Sequence, residues 1–164
     1  MSCLDAKNRG PLESDLSELD MNQANVLTIK WKRPLTDGKT CPRCRSTGDE
    51  VERAVVTLRQ ALAPMGVVVV SDMGKLSVDE FKQDTLKSNE IWIGGRLLED
   101  WLDATAGQSE CCDVCGPSNC RTLEVSGESH EVVPAELIVK AGLLEAAQLL
   151  GKGECVRCPK HHDL

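Results

Sequence analysis

At residues 40–44 the sequence reads TCPRC, a pair of cysteines separated by two residues. The earlier run VLTIKW, at residues 26–31, is rich in β-branched and aromatic residues and is typical of a strand. After the pair, apolar residues recur at helical spacing between residues 49 and 63, which predicts an amphipathic helix that Asp49 caps. The cysteine pair is therefore expected between a strand and the N-terminus of a helix.

Strand and helix signals continue to alternate beyond this stretch. Residues 67–70 are all valine, a continuous apolar run that predicts a strand buried on both faces. Ser77 and Glu80 have capping-box spacing and predict a helix near 78–86. The other predicted elements are a strand at 91–93 with a glycine turn, a short helix at 97–102, a hairpin within 122–133 and a helix over 134–150. This order predicts an α/β fold with a central mixed sheet flanked by helices.

Composition limits the compartment and the partners. A net charge of −7 does not favour non-specific binding to nucleic acid or to an anionic membrane. The first twenty residues lack an apolar signal-peptide core, and no apolar run approaches the ~18 residues of a membrane span. We therefore expect a cytoplasmic protein with neither nucleic acid nor membrane as partner. In a reducing compartment, nine cysteines indicate redox chemistry or metal binding rather than a structural disulfide framework.

Three parts are expected along the chain. Residues 1–24 are polar and without periodicity, which predicts a disordered leader. Residues 25–150 form the predicted domain, with a cysteine-rich loop at 104–120. Residues 151–164 form a flexible tail that carries cysteine and histidine.

The first cysteine pair, Cys41 and Cys44, is the candidate catalytic site. Two sulfurs at this spacing can form a disulfide or bind one metal ion, and a helix N-terminus stabilises the thiolate that either reaction needs. The alternative is that both are ordinary core cysteines. Pro42 and the charged residues around the pair argue against that burial.

The cysteine-rich loop is a second candidate site. Its four sulfurs lie within ten residues and could converge on one soft ion: Cys111, Cys112, Cys115 and Cys120. Thiolates select Zn²⁺, Cu⁺ and heavier thiophilic ions, and adjacent cysteines suit Hg²⁺ or As(III). The alternatives are an inert loop or a pair of disulfides. We predict that a bond among these cysteines, through metal or disulfide, orders the loop.

The tail contains a third candidate. Cys155, Cys158 and His161 have the spacing of a Cys₂His metal site. Zinc or another thiophilic metal is the cofactor expected if any of these sites binds one.

The chain resembles the thioredoxin superfamily in its order of strand, CxxC, helix, strand, helix and strand followed by glycine. More closely, it resembles an uncharacterised prokaryotic family of cysteine-rich thioredoxin-like proteins, known as a domain of unknown function. The matching residues are Thr40, Cys41, Arg43, Cys44, Thr47, Gly48, Ser88, Asn89, Gly95, Arg96, Glu99, residues 111–121 and Pro134, Ala135 and Glu136. This resemblance implies a thioredoxin-like fold with a thiol site, without identifying a substrate.

One position departs from the thioredoxin pattern. That superfamily usually has a cis-proline facing the CxxC, just before a strand that here begins near Ile91. This chain has residues 88–90, SNE, at that place and no proline between Pro64 and Pro117. A polar residue with a backbone N–H is therefore expected to face the sulfurs and to leave room for a metal or an adduct.

Two function classes lead at this point, and an interaction protein with purely structural zinc is a third alternative. In the first, the chain is a thiol–disulfide oxidoreductase: Cys41 attacks, Cys44 resolves and the loop cysteines relay electrons. Its partners are then protein thiols or disulfides. In the second, the same thiolates bind or detoxify a soft metal or metalloid such as Zn, Cu, Hg or As.

Overall fold

A computed structural model describes residues 25–35, 38–111 and 115–152. The predicted leader, residues 1–24, lies outside these ranges. All but the first two residues of the predicted tail also lie outside them.

A four-stranded mixed sheet forms the centre of the fold. Its strands are β1 (Asn25–Pro34), β2 (Val67–Leu76), β3 (Ile91–Ile93) and β4 (Arg96–Leu97), in the spatial order β2-β1-β3-β4. Strand β1 pairs in parallel with β2 and antiparallel with β3, and β3 pairs antiparallel with β4. The predicted α/β class and mixed sheet are confirmed.

Helices accompany this sheet: α1 (Pro42–Leu62), α2 (Val78–Gln83), α3 (Leu98–Leu102) and α4 (Ala135–Gly151), with 3₁₀ turns at Ala63–Met65 and Thr85–Lys87. The predicted capping box is present, since the Ser77 side chain accepts from the Glu80 backbone N–H and Glu80 accepts from Ser77. Helix α1 begins at Pro42, earlier than the predicted start near Asp49. Proline fits the first helical position because it lacks the N–H that would have no intrahelical partner there. The cysteine pair thus lies in the first turn of α1.

The core forms where α1 and α4 pack against each other and against β1. Leu27 and Ile29 of β1, Leu58 of α1 and Ile138 of α4 are all fully buried there. The two helices approach closely at Gly142, where an added Cβ would lie 2.5 Å from Leu58 Cδ1. This packing fixes α1, and therefore the cysteine pair at its N-terminus, relative to the sheet.

The run of four valines in β2 is not buried on both faces as predicted. Val67 and Val69 are buried, whereas Val68 and Val70 are exposed by 51% and 43%. The reason is that successive residues of a strand point to opposite faces of the sheet, and only Val67 and Val69 point to the face where α1 packs.

A second, three-stranded antiparallel sheet consists of β5 (Thr105–Glu110), β6 (Asn119–Val125) and β7 (Glu128–His130). The predicted hairpin is present as β6 and β7. Ser126 and Gly127 both have positive φ at its turn, as a two-residue primed turn requires. The stretch 104–120, predicted as a loop, instead contains β5 and the start of β6. Its polar residues 105–110 lack the alternation by which a strand is recognised, and they form one by pairing with β6.

In the part of the chain that the structure describes, helices are too short or too polar to cross a bilayer.

Candidate thiol site

Cys41 is the N-cap residue of α1. Its backbone is extended, with φ −68° and ψ 157°, and its Sγ accepts a hydrogen bond from the Cys44 backbone N–H at 3.3 Å. The first turn of α1 contains no acidic residue. The N-terminus of a 21-residue helix therefore acts on this sulfur with nothing in its first turn to oppose it.

Cys44 lies one turn further into the helix and is held by Asn89. The Asn89 side-chain amide donates to Cys44 Sγ at 3.3 Å, while its carbonyl oxygen accepts from the Trp31 indole N–H at 3.3 Å. Burial, first of all, and then the hydrogen bond and charge of Cys41 raise the pKa of Cys44 to about 12. Cys44 is therefore protonated at neutral pH, and Cys41 is the sulfur of the pair suited to attack.

Asn89 occupies the position that faces the pair, as expected from the missing proline. It has φ 55°, and its backbone N–H donates to the Lys32 carbonyl at 2.9 Å. Proline could adopt neither feature, because its φ is fixed near −65° and it has no N–H. The side-chain amide of Asn89 is therefore the polar neighbour of Cys44 in this chain.

The cysteine pair is buried, contrary to expectation. Cys41 is 1% exposed and Cys44 is fully buried. The charged neighbours did not prevent this, because Arg43 points inward with a side chain only 10% exposed. A bulky disulfide from solution therefore cannot reach Cys41 in this conformation.

A disulfide joins Cys111, at the end of β5, to Cys120 in β6. The Cys111 backbone N–H also donates to the Ser118 carbonyl at 2.8 Å, so the segment between the two cysteines is closed at its base. This is the bond among its own cysteines that was predicted for the loop. Cys120 is fully buried, whereas Cys111 is partly exposed.

Three sulfurs from the two candidate sites meet. The Sγ atoms of Cys41, Cys111 and Cys115 all lie within 4.8 Å of one another. Two facts about this group conflict: its spacing suits a metal ion, but Cys111 is already bonded to Cys120 and has no thiolate to offer. In the conformation described, the geometry is that of a thiol next to a disulfide.

Arg43, which lies between the two cysteines of the CxxC motif, connects helix α1 to the strands that carry the disulfide. Its guanidinium donates to the Arg121 carbonyl at 2.6 Å, the Ser109 hydroxyl at 2.6 Å, the Glu131 carbonyl at 2.9 Å and the Glu110 carbonyl at 3.5 Å. Glu110 and Arg121 are the neighbours of the two disulfide cysteines. Arg43 therefore holds both arms of the disulfide against the helix that carries Cys41.

Arg121 anchors the other side of β6. Two nitrogens of its guanidinium contact one oxygen of the buried Glu99 carboxylate, Oε1, at 2.7 and 2.9 Å, and a third donates to the Leu86 carbonyl at 2.6 Å. Both side chains are about nine-tenths buried. The strand that carries Cys120 is thus tied to α3 and to the 3₁₀ turn before β3.

Of the residues predicted from sequence, the structure brings together Cys41, Cys44, Cys111, Cys115 and Cys120. The other candidates lie outside the described residues: Cys112, Cys155, Cys158 and His161. Sequence reasoning missed the role of Arg43, which it counted among the charged residues around the pair, and the pairing of Arg121 with Glu99. The only available signal was the presence of these three residues among those that carry the family resemblance.

These features define a cysteine-rich α/β protein whose CxxC lies beside a disulfide. The family model described as a domain of unknown function, DUF2703, matches residues 27–142. The chain is also 52% identical over 112 residues to a protein of Archaeoglobus fulgidus described as uncharacterized, an alignment that covers 68% of this chain and 82% of that one. The chain belongs to the DUF2703 family. No solved structure gives a significant match.

Proposed function

We propose that this protein is a thiol-based redox protein in which the Cys41–Cys44 dithiol exchanges with the Cys111–Cys120 disulfide. The observation that carries this proposal is the approach of Cys41 Sγ to within 4.8 Å of Cys111 Sγ, one half of a disulfide. Thiol–disulfide exchange needs a thiolate, an adjacent disulfide sulfur and a leaving thiolate. Cys41 is the candidate thiolate, Cys111 is the disulfide sulfur beside it, and Cys120 would be the leaving thiolate.

Burial supports an internal relay over direct attack on an outside partner. Cys41 is 1% exposed, while Cys111 and Cys115 are partly exposed. Two electrons pass from the buried dithiol to the loop disulfide, and the resulting loop dithiol includes one partly exposed sulfur, that of Cys111. The partner is then a protein disulfide or dithiol that meets the loop, in the cytoplasm.

The exchange takes two steps. The Cys41 thiolate attacks Cys111 Sγ, forming a Cys41–Cys111 bond and releasing Cys120 as a thiolate. The Cys44 thiolate then attacks Cys41 Sγ, forming the Cys41–Cys44 disulfide and releasing Cys111. One disulfide is broken and one formed, and the protons lost by Cys41 and Cys44 balance those taken up by Cys111 and Cys120.

The environment of Cys44 suits the second step. Two of the causes that raise its pKa, the hydrogen bond with Cys41 and the charge on Cys41, disappear once Cys41 is in a mixed disulfide. Hydrogen bonds from Asn89 and Thr40 act in the opposite direction and favour the Cys44 thiolate. The first step therefore removes two of the causes that raise the pKa of Cys44, while burial, the largest cause, remains.

A thioredoxin-like scaffold is consistent with the proposed dithiol–disulfide exchange. Strand β1, the CxxC at the N-terminus of α1, strand β2, helix α2 and strand β3 followed by Gly94 occur in the order that carries the resemblance. We propose that the second sheet, β5-β6-β7, is the addition that supplies this protein with its own disulfide.

Soft-metal binding is the second candidate function. The same three sulfurs, from Cys41, Cys111 and Cys115, are spaced for one thiophilic ion such as zinc. Metal binding comes second because, in the conformation described, Cys111 is bonded to Cys120 and offers no thiolate to an ion.

Disulfide mapping during oxidation tests the exchange. Fully reduced protein receives one equivalent of an oxidised small dithiol and is quenched with an alkylating reagent at intervals. We expect the Cys111–Cys120 disulfide first, because Cys111 is the more exposed sulfur, and then conversion to Cys41–Cys44. The conversion rate should not depend on protein concentration, since the step is internal.

Two variants serve as controls. Cys44→Ser should stop the conversion at its second step, and Cys41→Ser should leave Cys111–Cys120 as the lasting disulfide. The proposal is wrong if Cys41 and Cys44 of the wild type remain thiols at every time point.

A further inference from the structure

We infer that Cys41, Cys111 and Cys115 form a three-thiolate site for a soft divalent cation, and that any single disulfide of the relay closes this site. The inference rests on the proposed redox function, because it assigns two of the three ligands to the exchanging pairs. Cys115 is the third ligand and belongs to neither pair.

The distances suit such an ion once Cys111 is reduced. A metal–sulfur bond of about 2.3 Å places the sulfurs of a trigonal or tetrahedral site about 4 Å apart. The three Sγ atoms already lie within 4.8 Å of one another; Cys41 is fixed as the N-cap of α1, and Arg43 binds the residue before Cys111. Binding would need only a small inward shift. It would displace three thiol protons, one from each cysteine.

The position of the disulfide decides whether all three metal ligands are available as thiolates. With the disulfide at Cys111–Cys120, the ligand Cys111 is consumed; with the disulfide at Cys41–Cys44, the ligand Cys41 is consumed. Internal exchange therefore moves the disulfide without ever opening the site. Only an external dithiol, itself oxidised to a disulfide, can convert the protein to the four-thiol form that presents all three ligands.

Metal binding and disulfide formation then exclude each other, so each makes the other less favourable. A cation that binds the reduced form alone stabilises it and makes the first disulfide harder to form. For a two-electron couple, each tenfold excess of metal over its dissociation constant should raise the midpoint potential by about 30 mV.

Cd²⁺ is the probe, read through its thiolate-to-metal ultraviolet absorption in the full-length protein under anaerobic conditions. We expect the reduced wild type to bind one equivalent that Cys41→Ser, Cys111→Ser and Cys115→Ser each lose. The matched controls Cys44→Ser and Cys120→Ser should retain it, because these neighbouring sulfurs are not ligands. Oxidation of the wild type by two electrons should remove the same equivalent.

The Cys115→Ser variant separates this inference from the redox proposal. It keeps both exchanging pairs, so its disulfides should still convert, but its midpoint potential should not respond to Cd²⁺. The inference is overturned if two-electron-oxidised wild type keeps the Cd²⁺ equivalent, or if Cys115→Ser still shows the potential shift. Failure of the exchange shows instead as Cys41 and Cys44 remaining thiols in the mapping experiment, whatever Cd²⁺ does.

Discussion

Arg121→Met should destabilise the protein by about 3–5 kcal/mol, because it leaves the Glu99 carboxylate buried without its partner. Among residues 25–35, 38–111 and 115–152, nothing donates to the other oxygen of that carboxylate, Oε2, so the loss of Arg121 is not compensated there. The midpoint of thermal unfolding should fall by at least about 6 °C. Calorimetry or circular dichroism measures this directly.

The matched control is another arginine–glutamate pair of the same chain. Arg53 pairs with Glu50 on the surface of α1, where the Arg53 side chain is 62% exposed. Exposed pairs contribute about 0–1 kcal/mol, so Arg53→Met should change stability little. Adding Glu99→Gln to Arg121→Met should recover part of the loss, because the uncompensated charge is gone. Equal effects of Arg121→Met and Arg53→Met would show that burial of the Arg121 pair does not matter.

Arg43→Met should slow the conversion of Cys111–Cys120 to Cys41–Cys44 by about 100-fold. The four hydrogen bonds of Arg43 hold the segments that flank both disulfide cysteines. Their loss frees the disulfide to move away from Cys41, and a displacement of about 1 Å is enough for a rate loss of this size. The measurement is the time course of disulfide mapping.

Two substitutions control for charge. Arg45 adjoins the same cysteine pair but is exposed, so Arg45→Met removes the same charge without touching the second sheet. It should leave the rate close to that of the wild type. Arg43→Lys keeps the charge but cannot reproduce a planar fork that spans several acceptors, and it should remain slow. If Arg43→Lys exchanges at the wild-type rate, Arg43 acts through its charge and not by positioning the disulfide.

The sequence predicts those parts of the fold that depend on local patterns. Strand β1, the capping box of α2 and the turn at Ser126 and Gly127 follow from residue type and spacing over a few positions, and the structure contains all three. The position of the CxxC at a helix N-terminus is of the same kind, because the helical repeat that follows it is strong.

The features that depend on distant partners were not predictable in the same way. Strand β5 has a polar sequence and exists through its pairing with β6. The exposure of Val68 and Val70 depends on which face of the sheet the core helices cover, and the valine run does not show that. The inward turn of Arg43 depends on acceptors 66 to 88 residues away. The candidate site combines both kinds: its cysteines were visible in the sequence, and their convergence was not.

The central claim, that Cys41 lies in attacking position on the loop disulfide, is tested most directly by a trapped cross-link. The Cys44→Ser/Cys120→Ser double variant removes both normal partners of Cys41 and Cys111, whose Sγ atoms lie within 4.8 Å of each other in the wild type. Mild oxidation of the folded variant should join them, and mass spectrometry should find a Cys41–Cys111 disulfide within single chains. Recovery of Cys41 as a thiol while Cys111 has been oxidised elsewhere would contradict the relay.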